Sequence, residues 1–173
     1  MPNFATDKQY DYHKQTSVYI SDYIKFADAK AGAALTVVIV VLSFFIKDLH
    51  EHEWKRNSLA SFFSDWKIYI HVFPLVILGY GLVFLLLTIW PRYKTEINSY
   101  QSWGGIAAFP SEQDYIIELT TRFQDEDLFL LDMISQNHTL AGICKTKYTK
   151  LRYGFIWSSI GIVLYGMIWF FGF

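Results

Sequence analysis

Cysteine is nearly missing from this chain. Cys144 is the only one in 173 residues, which excludes an intrachain disulfide and leaves nothing that points to an oxidising compartment. Net charge is also nearly missing, at −1, so any electrostatic argument has to come from where the charges lie. Proline is rare: none interrupts the amino-terminal segment after Pro2, and the first glycine is Gly32. No Gly-rich phosphate loop, Cys-x-x-Cys or His-Glu-x-x-His occurs, so no catalytic constellation and no metal centre is expected. His50-Glu51-His52-Glu53 could ligate zinc by residue type, but reads as a solvated acidic patch. The first thirty residues interleave Lys8, Lys14, Lys25 and Lys30 with acids and hold no apolar core, so no cleavable leader is expected.

What the chain does have is apolar and aromatic residues, 53% and 19% of the total. Ala31 to Ile46 carries no charge at all. Ile68 to Trp90 holds only His71 as an ionisable group, and Tyr153 to Phe173 is equally apolar. A bilayer core of about 30 Å needs roughly 20 apolar residues in a helix. The second and third stretches meet that length. The first meets it when Asp28 and Lys30 sit at the interface. Trp66, Tyr69, Trp90, Tyr93, Tyr153 and Trp169 fit interfacial belts. Spans are therefore predicted at 31–47, 68–90 and 153–173.

Lysine and arginine set the orientation. The amino-terminal arm has four and the 91–152 region seven, against four in Lys47–Lys67. By the positive-inside rule the arm and the 91–152 region face the cytoplasm, and the 48–67 loop faces outward.

Tyr12, Thr16, Tyr19, Tyr23, Phe26, Lys30 and Ala33 recur in steps of three and four. Such a stripe predicts one long helix from about Thr6 to Ile46. It is too aromatic to stay wet and is expected to pack on something cytoplasmic. After Pro91, the stretch Ser99–Phe109 reads as a loop. Ser111-Glu112-Gln113-Asp114 is a capping-box pattern that starts a helix. Asp125-Glu126-Asp127 fits the start of a last helix, whose apolar line Leu128, Leu131, Ile134, Leu140, Ile143, Cys144, Tyr148, Leu151 runs into the third span. The fold class predicted is an all-α, oligomeric membrane protein. Residues 1–30 and 91–152 build a small cytoplasmic helical domain. Such a thin core invites oligomerisation. Small pairs at Ala27/Ala31, Ala29/Ala33 and Gly154/Ser158 predict close helix contacts.

Two groups of residues are candidates for function. Lys145, Lys147, Lys150 and Arg152 cluster before the third span. A lysine, Arg92 or Arg122 could take a phosphate while Tyr93, Trp103, Tyr115 or Tyr148 stacks a base. Anionic lipid would draw the same basic cluster. Within the membrane, Thr36 and Ser43 share a face and could line a pore or hydrogen-bond to their own helix. Asp28 and Lys30 mark the seam at the membrane entry.

Asp28-Ala29-Lys30-Ala31 followed by a short span resembles the entry of the Pycsar-type transmembrane effectors of bacterial anti-phage defence. Pro91-Arg92 at the end of the second span and Ser111-Glu-Gln-Asp-Tyr115 fit the same pattern. So do Asn137-His-Thr-Leu-Ala-Gly-Ile143 and Lys147-Tyr-Thr-Lys-Leu-Arg152. The long outer loop and the count of three spans depart from it. The resemblance implies a non-enzymatic membrane effector that stops growth before phage matures. It would be a homo-oligomeric ion channel or pore, a tetramer, in the bacterial inner membrane. A nucleotide second messenger would gate it, either a cyclic nucleotide or, as in the related Hailong type, a short DNA oligomer. The cognate cyclase or nucleotidyltransferase would act only through its product, and no cofactor is implied. The candidate nucleotide contacts are Arg92, Lys94, Trp103, Arg122, Lys145, Lys147, Tyr148 and Arg152. The gating or pore candidates are Asp28, Lys30, Thr36 and Ser43. The alternative from another class is an adaptor that recruits a soluble partner through its cytoplasmic helices.

Overall fold

The computed structural model describes residues 4–50, 66–90 and 103–171. No strand occurs among them. Five helices follow in order: α1 Phe4–Leu49, α2 Trp66–Ile89, α3 Trp103–Ala107, α4 Glu112–Phe123 and α5 Glu126–Phe171. Three of them, α1, α2 and α5, are long and apolar enough to cross a membrane. The chain divides into a polar unit, from Met1–Phe26 and Pro91–Thr146, and an apolar unit, from Ala27–Trp90 and Lys147–Phe173. Helices α1 and α5 contribute to both.

Local signals set the helix ends. The Ser111 hydroxyl oxygen accepts from the Asp114 amide at 3.1 Å and donates to the Asp114 carboxylate at 2.7 Å. This is a capping box in which the acid returns to the hydroxyl. Asp125 starts α5 in the same way: its carboxylate accepts from the Asp127 and Leu128 amides at 3.1 and 3.2 Å. Each cap satisfies amides that a helix start leaves without partners. The 99–109 segment is not wholly a loop. Trp103–Ala107 makes one helical turn, closed by the amides of Ala108 and Phe109 on the carbonyls of Gly105 and Ile106. The Phe109 ring packs edge-on against Tyr115, 5.2 Å away, which holds a turn that two glycines alone would not favour.

In the apolar unit the three long helices pack through strict steps of three and four. Helix α1 buries Ala27, Ala31, Leu35 and Val38; α2 buries Pro74, Leu78, Gly81, Leu85 and Thr88. Helix α5 buries Lys147, Leu151, Gly154, Ser158, Gly161 and Tyr165. Pro74 lies within α2. Glycine is required where α2 meets α5. A β-carbon on Gly81 would lie 2.6 Å from the Ser158 amide nitrogen, and one on Gly161 would lie 2.9 Å from that of Leu78. A β-carbon on Gly154 would sit 2.7 Å from the Leu85 side chain. This is the close backbone approach that small residues permit between membrane helices. The Gly154/Ser158 and Ala27/Ala31 pairs are buried, whereas Ala29 and Ala33 face outward.

The predicted lines differ from the buried ones by one register, except at Leu151, which belongs to both. The aromatic stripe of α1 is not the face this chain packs on itself: Tyr12, Tyr19, Tyr23 and Phe26 are all exposed. Ala27 and Ala31 take the inner position because their small side chains let the helices come close. Leu128, Leu131 and Ile134 of α5 are exposed too, and the buried line there is Met133, Asn137, Lys147 and Leu151. Helix α4 buries none of its residues.

Candidate functional site

In the polar unit, charge and amide groups hold the helices. The Arg122 Nη1 donates to Asp132 Oδ2 at 2.5 Å, and its Nε lies 3.6 Å from Glu118 Oε1. A phosphate reaching Arg122 would therefore have to displace a carboxylate. Asn137, buried on α5, donates from Nδ2 to the His13 carbonyl of α1 at 2.9 Å. Its Oδ1 is buried without a hydrogen-bond partner. Rings add to this: Phe129 stacks on Tyr10 at 5.7 Å and tilts against Phe123 at 5.1 Å. Lys145 is exposed in this unit.

The apolar unit holds the most informative contact. Lys147 of α5 donates to the Asp28 carboxylate of α1. The Lys147 side chain is 7% exposed and that of Asp28 35%. An ammonium placed among apolar neighbours needs such a partner, because desolvation of an unpaired charge costs several kcal/mol, about 3–5 when a partner is removed. Lys147, a candidate ligand contact, and Asp28, a candidate gating residue, thus form one pair. Tyr148 packs half-buried against the same core, and Arg152 is exposed. Lys30 faces outward, so it and Asp28 occupy different faces of α1.

Thr36 and Ser43 are exposed, and each hydroxyl donates to its own helix, to the carbonyls of Gly32 at 3.1 Å and Ile39 at 2.8 Å. Further along, Tyr165 of α5 stacks on Phe45 of α1 at 3.6 Å and donates to Asp48 Oδ2 at 2.7 Å. Neither Asp48 nor Tyr165 stood out in the sequence. An open cleft lined by Phe44, Lys47, Asp48 and Tyr165 lies here, and another is lined by Tyr69, Phe73, Pro74 and Met167. Neither is lined by a candidate nucleotide contact. Arg92, Lys94, the Trp103 side chain and Glu51-His52-Glu53 lie outside the described residues. Among the described residues, no group of three or more His, Cys, Asp or Glu could hold a metal ion.

Long apolar helices, glycine-mediated contacts and a buried cross-helix ion pair define an all-α membrane protein with a polar helical unit built from the same helices. The Pycsar effector protein domain matches residues 12–172, and the chain belongs to that family of transmembrane effectors of anti-phage defence. It is similar to the Pycsar effector protein SaPycTM of Staphylococcus aureus, with 28% identity over 155 residues, 89% of this chain and 90% of the relative. No solved structure matches it. The family is not a known enzyme family.

Proposed function

We propose that the protein is a nucleotide-gated, homo-oligomeric channel or pore of the bacterial inner membrane, with its amino terminus in the cytoplasm. The amino-terminal helix and the 111–152 region sense a cyclic nucleotide or a short DNA oligomer. The spans then open, and ion leakage stops growth before phage matures. The Asp28–Lys147 pair is the observation that carries this reading. It joins the candidate ligand-binding cluster on α5 to the membrane entry of α1. A ligand phosphate that reaches Lys147 competes with the Asp28 carboxylate for the same ammonium. Ligand thereby favours the state in which the pair is broken, and a ligand shifts a balance only by such a preference. Thr36 and Ser43, exposed on α1, are the polar groups available to line a conducting path.

Ion flux from liposomes carrying the protein tests the proposal. Leakage that rises with a cyclic nucleotide or a short DNA oligomer, together with calorimetric binding, supports it, and leakage that falls contradicts it. Neither flux nor binding with any candidate sinks it. A second reading draws on the exposed aromatic residues Tyr12, Tyr19, Tyr23 and Phe26: an adaptor that recruits a soluble protein. A foreign protein in stoichiometric amount after purification favours the adaptor; identical chains favour the channel.

A further inference from the structure

Helices α1 and α5 are tied at two places, one near each end of the apolar stretch they share. At the entry end Lys147 donates to the Asp28 carboxylate. At the far end Tyr165 stacks on Phe45, with ring centroids 3.6 Å apart and planes 12° from parallel. Its hydroxyl lies 2.7 Å from Asp48 Oδ2 and 3.3 Å from the Phe45 carbonyl oxygen. The two ties join residues 119 and 117 positions apart, so the helices run side by side in the same direction. Asp28 and Asp48 are twenty residues apart on α1. That is about 30 Å of helix, the thickness of a bilayer core. From the inequality of the two ties we infer that α1 turns on its far end: the Tyr165 contact is a pivot, and the Asp28 end is the one that swings away from α5.

The entry tie is an ion pair, and an anion that takes the ammonium opens it. The far tie holds one buried ring by its face and by its hydroxyl, so the loss of either bond leaves it shut. Tyr165 is only 3% exposed. Between the ties α1 gives Ala31, Leu35 and Val38 to the core. Apolar contact has no preferred direction, which lets the two helices tilt. Helix α1 runs unbroken to Leu49, and no proline lies between Asp28 and Asp48, so a tilt at one end is carried to the other. A turn of about 10° on a lever of about 30 Å moves the Asp28 end by about 5 Å, beyond the roughly 4 Å reach of an ion pair. Hinges of this kind use a few residues at the end of an element, and Phe45 and Asp48 stand in the last turn and a half of α1.

The pivot rests on the gating proposed above and gives it a movement, and its test needs no nucleotide. Cysteine pairs are cross-linked in native membranes with a reducible bis-methanethiosulfonate reagent, in a Cys144→Ser background. The bridge is read by mass spectrometry in the monomer band. The entry pair is Ala31→Cys with Leu151→Cys, two residues of the shared core. The far pair is Lys47→Cys with Trp169→Cys, which line one cleft and leave Phe45, Asp48 and Tyr165 in place. Asp28→Asn is then added to each. The entry yield is expected to fall several-fold while the far yield stays. A fall at both ends, at the far end alone or at neither would overturn the pivot. Tyr165→Phe, which keeps the ring stack, is the second variant: an unchanged far yield is expected, and a fall there counts against the pivot. Leakage from liposomes carrying Asp28→Asn is read separately. A fall at the entry end without leakage keeps the pivot and removes the gating. Leakage with both yields unchanged does the reverse.

Discussion

Lys147 and Asp28, 119 residues apart in sequence, share one ion pair inside the apolar unit. Removing either partner strands the other. Asp28→Ala leaves a buried ammonium and is expected to destabilise by about 3–5 kcal/mol. Replacing both, as Asp28→Leu with Lys147→Met, removes the charge along with its partner and is expected to recover most of that loss. Thermal unfolding in detergent, read from tryptophan fluorescence, checks the cycle. Additive losses would mean that the two groups do not depend on each other.

The pair also changes how ligand binding should be probed. Lys147→Glu sets two carboxylates against each other, so its effect on nucleotide binding mixes ligand contact with folding. Arg152→Glu alters an exposed residue and is expected to weaken binding at least tenfold with unfolding unchanged. Lys55→Glu, in the 48–67 loop, is expected to leave binding alone. Calorimetric titration measures both. Equal effects of Arg152→Glu and Lys55→Glu would contradict the assigned orientation.

Two glycines in α5 are expected to behave oppositely. Gly154→Ala pushes a methyl into Leu85, where its β-carbon would lie 2.7 Å from the side chain. Overpacking of this kind costs about 1–3 kcal/mol. At Gly142 nothing lies within 4 Å of an added β-carbon. There Gly142→Ala gains about 0.5–1 kcal/mol of helix propensity. Unfolding midpoints that move the same way in both variants would contradict the packing described.

Tyr165 holds through its ring and through its hydroxyl. Tyr165→Phe keeps the stack on Phe45 and loses the hydroxyl's bonds to Asp48 and to the Phe45 carbonyl, a change of about 1.5–3 kcal/mol for a charged acceptor. Tyr165→Ala loses the stack as well and is expected to cost about 3–5 kcal/mol. If the two variants melt together, the ring contributes nothing.

The spans, the long first and last helices and the starts at Ser111 and Asp125 were legible in the sequence, because hydropathy, absent prolines and capping residues are local signals. The buried registers were not. A search for apolar periodicity selects Leu128, Leu131 and Ile134 over Met133 and Asn137, and tyrosines over Ala27 and Ala31. The real lines hold an amide, an ammonium, a hydroxyl and glycines, which become core only once their partners are known. Asn137 needs His13, Lys147 needs Asp28, and Gly154 needs Leu85. The same blindness hid Asp48, whose role depends on Tyr165, more than a hundred positions away. The short α3 was missed because its two glycines argue for a loop and the Phe109–Tyr115 contact is not local.

The buried line of α5 keeps its alternating steps from Lys147 to Tyr165. Deleting Arg152 would turn everything after it by about 100° against the Lys147–Asp28 pair. Phe155, Ser159 and Ile162 would then stand where Gly154, Ser158 and Gly161 meet α2, and a phenyl ring would occupy a place with no room for a methyl. The distance along α5 from the ammonium to the glycine contacts is therefore fixed to the residue.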